Sequence, residues 1–285
     1  MSDALAIAGH ALKEAVRRRV LLVVALLTAG FLALFALGAF EVFESLEEET
    51  GGGIVPIDER ALAGGTLLGM AMFVALFLGV VLAVFLTLGA VRGDADRGLL
   101  QPLVVRPVGR TTLLIGRFLA ACAVCVPYVV IVFLLAALIT RVAGDFTPSS
   151  VVVPAAGLGL GVVTVVAISL LGSTVLGTTA NGIAIFMVFA TGLTAGLLGQ
   201  IGDGLDVDGL RTASSIISWI VPFEALYQNG LYALTSDIGG ATGVIVQLGP
   251  FGGARTVGAA IWPWAAAWST AVLALAALAF RRRDL

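Results

Sequence analysis

The chain is 285 residues long, 59% hydrophobic and only 12% charged, with a formal net charge of −2 and a mean hydropathy of +1.08. A soluble domain carries about 25% charged residues, so the composition excludes one and indicates a polytopic membrane protein, in which charge matters by side rather than in sum. The single histidine, His10, leaves no HExxH metalloprotease site and no intramembrane Ser–His pair, and no GxxxxGK[ST] phosphate loop occurs.

Residues 2–19 come first. Leu5, Ala8, Leu12 and Val16 share one helical face, and Asp3, His10, Lys13, Glu14 and Arg17 share the other, with Ile7 off the apolar stripe. Such a segment is expected to lie in the membrane interface, its apolar side in lipid and its basic side in water. An ordinary solvated N-terminal segment is the other reading. Arg17, Arg18 and Arg19 then precede an apolar run from about Val20 to Phe40. That run exceeds the ~7–15 residues of a secretory h-region, so it is expected to be a retained first span.

The spacing of apolar runs predicts six transmembrane helices, over 20–41, 62–91, 112–140, 151–178, 183–202 and 259–280. Spans two to four are longer than a bilayer core requires and are expected to tilt or to extend into water. Placing both termini on one side gathers twelve of the sixteen Lys and Arg there: Lys13, Arg17 to Arg19, Arg92, Arg97, Arg106, Arg110, Arg117 and Arg281 to Arg283. Arg60, Arg141, Arg211 and Arg255 fall opposite. The first side is therefore expected to be cytoplasmic. The acidic runs, Glu41 to Glu59 and Asp203 to Asp208, fall outside. Trp262, Trp264 and Trp268 sit where span six would enter from outside, as interfacial tryptophans do.

Within the spans, Gly65 with Gly69, Gly157 with Gly161, and Gly192 with Gly196 have the small-xxx-small spacing that lets membrane helices approach closely. Glycine is also simply common in such helices. Cys122 and Cys125 lie three apart in span three, which argues against a disulfide framework. They offer two thiols to a soft ion such as Cu(I), or pack as small apolar side chains. Thr164, Ser169, Ser173 and Thr174 are the polar candidates of span four. Ionisable groups are almost absent from the spans. That argues against an ion-coupled carrier, although some carriers hold Na⁺ with backbone carbonyls.

The segment 203–258 is too long for a simple loop. Ser214 to Tyr232 is apolar and aromatic and broken by Pro222, so one or two short interfacial helices are expected over the outer face. Residues 239–258 are glycine-rich and fit either a flexible loop or a re-entrant turn. Asp203, Asp206 and Asp208 do not match a calcium-loop spacing and read as solvated acidic surface.

The loop between spans two and three, 92–111, is the most specific stretch. Asp94, Gly98, Leu100, Leu103, Arg106, Pro107, Val108 and Arg110 run as an acid, a glycine, an apolar stretch, an Arg-Pro-Val break and a basic start to the next span. Pro107 is expected to end one helical segment and Thr111 or Thr112 to cap the next. The product is a short helix across the gap that offers apolar and basic groups to a partner.

This order resembles the first cytoplasmic loop of permease subunits of ABC-2-type ATP-binding-cassette transporters, E-x-x-x-G-T-L-x-x-L-L-x-x-P-V-S-R followed by a helix starting L-L-x-G-K. Asp94, Gly98, Leu100, Leu103, Pro107, Val108, Arg110, Gly116 and Arg117 occupy matching positions. Leu99, Pro102, Val104 and Gly109 depart from it. The amphipathic N-terminal segment is similar to the family's elbow helix, Pro222 to Tyr227 to its outer segment, and Phe280 to Leu285 to its F-x-R-R-D-L terminus. Among subfamilies the permeases of nitrous-oxide-reductase maturation systems are most similar.

The resemblance implies an all-α permease over residues 1–285, paired with a second copy or a homologue in membrane lipid. It also implies a separate ABC ATPase, with ATP hydrolysis coupled to transport, most simply export. Asp94, Gly98, Leu100, Leu103, Arg106, Pro107 and Arg110 would form the ATPase-coupling interface, and Leu5, Leu12, Val16 and Arg17 the membrane elbow. No catalytic residue, cofactor, metal ligand or nucleic-acid partner is expected. A stand-alone, gradient-driven carrier or channel is the alternative, and it would need polar groups at mid-membrane. An intramembrane enzyme is a third class, which the lone His10 and the lack of buried Asp pairs disfavour.

Overall fold

A long apolar segment in lipid has no water to satisfy its backbone, so it closes its hydrogen bonds within a helix. The computed structural model describes residues 9, 19–48, 58–88, 109–239, 242 and 256–282, and helices joined by short connections, with no strand, are found among those residues. In chain order the helices are α1 (Arg19–Glu48), α2 (Glu59–Thr87), α3 (Arg110–Gly144), α4 (Val152–Val175) and α5 (Thr178–Leu205). Then follow α6 (Asp208–Ile220), α7 (Pro222–Thr235) and α8 (Ile261–Arg281). All but α6 and α7 are long and apolar enough to cross a membrane, six spans among the described residues. The architecture is the expected all-α bundle of six spans.

Local chemistry sets the boundaries. The Asp58 carboxylate accepts a bond from Ala61 N at 3.0 Å and caps α2. Asp145 and Asp206 close α3 and α5 in the left-handed conformation (φ 49° and 56°), one that Asp tolerates better than most residues. Val221 alone separates α6 from α7. It is extended (φ −125°, ψ 77°) because Pro222 follows, and Pro222 sits at the start of α7, where its missing N–H costs nothing.

α1 runs seven residues past the expected end of span one. Glu41, Glu44, Glu47 and Glu48 belong to its last turns rather than to a loop. Glutamate is a good helix former, and buried Phe43 anchors this end by packing its ring on Gly144 of α3.

α2 and α4 are the most buried spans and α1 the least. The main core gathers Leu68, Met72, Leu76, Val129, Phe133, Leu158, Val162, Phe223 and Tyr227, from α2, α3, α4 and α7. We call the end where residues 89–108 join α2 to α3 the loop end, and the opposite one, where α6 and α7 fold back, the hairpin end.

α7 lies inside the bundle. Phe223, Glu224, Ala225, Leu226, Tyr227 and Gln228 are all buried. Five glycines of the three pairs receive it. A Cβ at Gly69 would lie 3.0 Å from Leu231, at Gly157 2.9 Å from the Leu226 carbonyl oxygen, at Gly161 3.7 Å from Phe223 and at Gly192 2.7 Å from Phe223. A Cβ at Gly196 would run into the Glu224 carboxyl.

α6 is amphipathic in the sense opposite to a soluble helix. Ser214 and Ser218 are buried, while Ile216, Trp219 and Ile220 are exposed. That arrangement is stable where the surroundings are lipid. Trp264 Nε1 donates to the Trp219 carbonyl at 2.9 Å, and the two rings meet edge to face, tying α6 to the start of α8.

Candidate functional site

Among the described residues, two polar clusters interrupt the apolar bundle, one at each end, besides a Thr28–Tyr128 hydroxyl pair at 2.5 Å that joins α1 to α3. At the loop end, Thr87 Oγ1 donates back to the Ala83 carbonyl at 2.7 Å and shares a hydrogen bond with Ser169 Oγ at 2.6 Å. Asn181 Nδ2 donates to the Ser169 carbonyl at 3.0 Å, and its amide presses on Gly172. Thr87, Ser169 and Asn181 are fully or almost fully buried. One residue each from α2, α4 and α5 therefore forms a continuous link. The α4–α5 connection is only Leu176 and Gly177, with Leu176 N bonded to the Gly172 carbonyl at 2.7 Å. Leu88, the last described residue before the loop, lies against Gly182 of α5.

The loop meets this link on the α2 side, directly after Leu88, and re-enters the bundle at α3, which is not part of the link. Asp94, Gly98, Leu100, Leu103, Arg106 and Pro107 lie outside the described residues, as do Leu5, Leu12, Val16 and Arg17 of the N-terminal segment. Arg110 is the first residue of α3. Gly109, extended at φ −61° and ψ 136°, is the N-cap, and no side chain caps the helix. The expected Thr111 or Thr112 cap is thus corrected. α3 begins one residue before Thr111, which leaves both threonines inside the first turn, and glycine is acceptable at an N-cap. At the same end Phe280 is buried, with Arg281 and Arg282 exposed behind it. Arg283, Asp284 and Leu285 lie outside the described residues.

At the hairpin end, Ser218 Oγ donates to Glu224 Oε2 at 3.1 Å across the α6–α7 break. Glu224 and Gln228, one turn apart on α7, both reach the α5 backbone at Gly196. Tyr227 packs edge to face on Phe73 of α2. Sequence reasoning assigned this stretch to an outer cap and singled out neither Glu224 nor Gln228. The signal available was their i, i+4 spacing in an otherwise apolar helix.

Beyond the hairpin, Arg211 is ringed by Asp203 at 3.0 Å, Asp206 at 2.7 Å and Asp208 at 3.3 Å. The Asp206 carboxylate, then that of Asp203, raises the already high pKa of the Arg211 guanidinium. These aspartates form an exposed ion-pair group around one arginine.

The remaining candidates are bonded in ways that leave little chemistry. In α4, Thr164, Ser173 and Thr174 donate to the Gly161, Leu170 and Leu171 carbonyls at 2.6, 2.7 and 2.7 Å. Helical hydroxyls bonded this way serve packing rather than a passing solute. Cys122 and Cys125 are free thiols, half-buried and buried. Among the described residues no group of three or more His, Cys, Asp or Glu converges to hold a metal ion.

The family model described as ABC-2 family transporter protein matches residues 5–285. The match reaches the family and does not single out the nitrous-oxide-reductase maturation permeases within it. No curated protein matches the chain.

Proposed function

We propose, for a chain that belongs to the ABC-2 family of transporter proteins over residues 5–285, that it is the subunit through which a separate ATPase drives export. The chain is an integral membrane protein and an ABC permease. Members of the family generally act as non-catalytic membrane subunits beside an ATP-binding subunit. In our reading residues 1–285 form a single permease domain that pairs with a second copy or a homologue. Residues 2–19 are its elbow, 92–111 its coupling loop and 203–258 its outer segment. Both termini and the coupling loop are cytoplasmic, in a prokaryotic plasma membrane.

The observation that carries the mechanism is the Thr87–Ser169–Asn181 link. ATP binding closes the ATPase dimer and displaces the loop. The loop continues directly into α2 and α3, and the link makes α2, α4 and α5 respond together. Those three spans hold the glycines on which α7 rests, so a displacement at the loop end reaches the hairpin end through packed backbone. Bistable packed elements carry motion in this way.

Asp94→Ala and Arg106→Ala test the reading. Each is expected to leave membrane insertion and ATP hydrolysis intact and to abolish the conformational response of α6–α7 to ATP, read by a spectroscopic probe at Trp219. An unchanged response in both variants would remove the loop from the mechanism.

A further inference from the structure

α3 and α4 leave a recess between them on the outer surface of the bundle. Val126, Val130 and Leu134 line it from α3, and Val152, Ala156 and Gly159 from α4, around a volume of about 530 Å³. Every lining residue is apolar. The recess exists because α4 sets small residues opposite the branched ones of α3. At one end the two helices touch, since a Cβ at Gly159 would lie 3.3 Å from Val126 Cγ1. Towards the hairpin end the recess is open, with Leu134 43% and Val152 78% exposed.

A positive charge stands beyond the open end. Arg141 lies seven residues after Leu134 on α3, two turns further along the same face, and is exposed. Among the described residues no carboxylate lies within ion-pairing distance of it. Asp145, exposed four residues on, closes the helix by donating its backbone N–H to the Arg141 carbonyl. The last turn of a helix favours a cation, but that interaction leaves the guanidinium donors to an outside acceptor. Guanidinium and phosphate form paired, charge-assisted hydrogen bonds.

The dimensions match one lipid. Val126 stands near the middle of the 35-residue α3. From there to Arg141 the helix rises about 22 Å, at about 1.5 Å per residue. A bilayer with its headgroups is about 40–45 Å thick, so that rise is one leaflet. With Arg141 at the headgroups, the recess lies at the depth of the acyl chains. A chain held there gains dispersion contacts from two helices, where a flat helix face offers one. We propose that α3 and α4 hold one anionic phospholipid in the leaflet at the hairpin end, an acyl chain in the recess and the phosphate at Arg141. The site uses nothing of the coupling loop or of the Thr87–Ser169–Asn181 link.

Native mass spectrometry of the full chain tests the site, with the chain released from nanodiscs of equal phosphatidylglycerol and phosphatidylcholine carrying the same acyl chains. One phosphatidylglycerol per chain is expected to be retained, roughly fivefold over phosphatidylcholine, the preference that one surface cation confers on an anionic headgroup. Arg141→Gln is expected to remove the preference and keep an occupant. Ala156→Phe, at an exposed position, fills the recess and is expected to remove retention of both lipids. If Ala156→Phe does not insert, Val152→Trp at the open end takes its place. Excess inorganic phosphate is expected to displace nothing. The proposal is overturned by a wild type that retains no lipid or both lipids equally, by displacement with inorganic phosphate, by a preference that survives Arg141→Gln, or by retention unchanged in the filled variant. A lipid-free dimer that Ala156→Phe separates would assign the recess to a second copy of the chain and overturn it as well.

Discussion

Gly157 shows how much of this fold rests on single backbone contacts. Its Cα faces the Leu226 carbonyl, and a methyl group there would sit 2.9 Å from that oxygen. Backbone cannot rotate away as a side chain can, so Gly157→Ala must push α4 off α7. Overpacking of this kind costs roughly 1–3 kcal/mol, and the variant is expected to unfold several degrees lower in detergent. Gly38→Ala, where a Cβ meets nothing within 4 Å, is expected to leave Tm unchanged or slightly higher. Thr87→Val removes the hydroxyl shared with Ser169. Hydrogen bonds between membrane helices average about 0.6 kcal/mol, so its loss is expected to be small in Tm, yet to slow the hairpin's response to ATP.

The small-xxx-small spacing of these glycines was legible in the sequence. Their common partner was not. Period alone marks a face that something approaches, and Gly69, Gly157 and Gly196 turn out to meet one helix drawn from the segment expected to cap the outside.

At the scale of elements, the long spans were legible because a run such as Thr111–Gly144 has no alternative to a helix in lipid. The residues of α6 and α7 gave a weaker signal. Ser214 with Ser218 and Glu224 with Gln228 have clear i, i+4 spacing, but polar residues at that spacing usually mark the wet face of a helix. Here both pairs point inward. Which face is buried depends on a glycine surface supplied by α5, tens of residues before Gln228, and local pattern carries no information about that. α1 gave the opposite error. Its glutamates suggested a loop, whereas helix propensity and the Phe43 anchor extend the helix to Glu48.

The junction of α5 and α6 gives a test at this scale. Arg211 holds three aspartates; Asp206 and Asp208 are almost fully in water, while Arg211 and Asp203 are partly exposed. Exposed ion pairs contribute little to stability and are screened by salt. Arg211→Ala is therefore expected to lower Tm by a degree or two at low ionic strength and not measurably at high salt. A large, salt-independent loss would show that Arg211 secures the hairpin by packing.

At the scale of the molecule, the proposed mechanism makes the loop-end cluster the receiving end and the hairpin-end cluster the responding end. Thr87, Ser169 and Asn181 join three spans where the loop leaves the bundle. Glu224 and Gln228 sit where the same three spans grip α7. Apart from the Thr28–Tyr128 pair, the main core among the described residues is built from apolar, non-directional contacts. In the proposed mechanism the link and the glycine seats keep α2, α4 and α5 in step with α7. Those spans would then deliver motion to the hairpin rather than absorb it, and a transporter whose energy is released in another subunit needs that property. The loop, Asp94 to Arg110, carries the family resemblance in the sequence because its order of acid, glycine, apolar residues and Arg-Pro break is local, and its coupling role belongs to the proposal.

Affinity purification of the tagged chain from its native membrane in mild detergent, with mass spectrometry of what accompanies it, tests the central claim most directly. A stoichiometric ABC ATPase is expected, and it should be lost when residues 94–110 are replaced by a Gly/Ser linker while the chain still inserts. Recovery of the chain without an ATPase under several mild conditions, or an ATPase retained by the linker variant, would contradict the account.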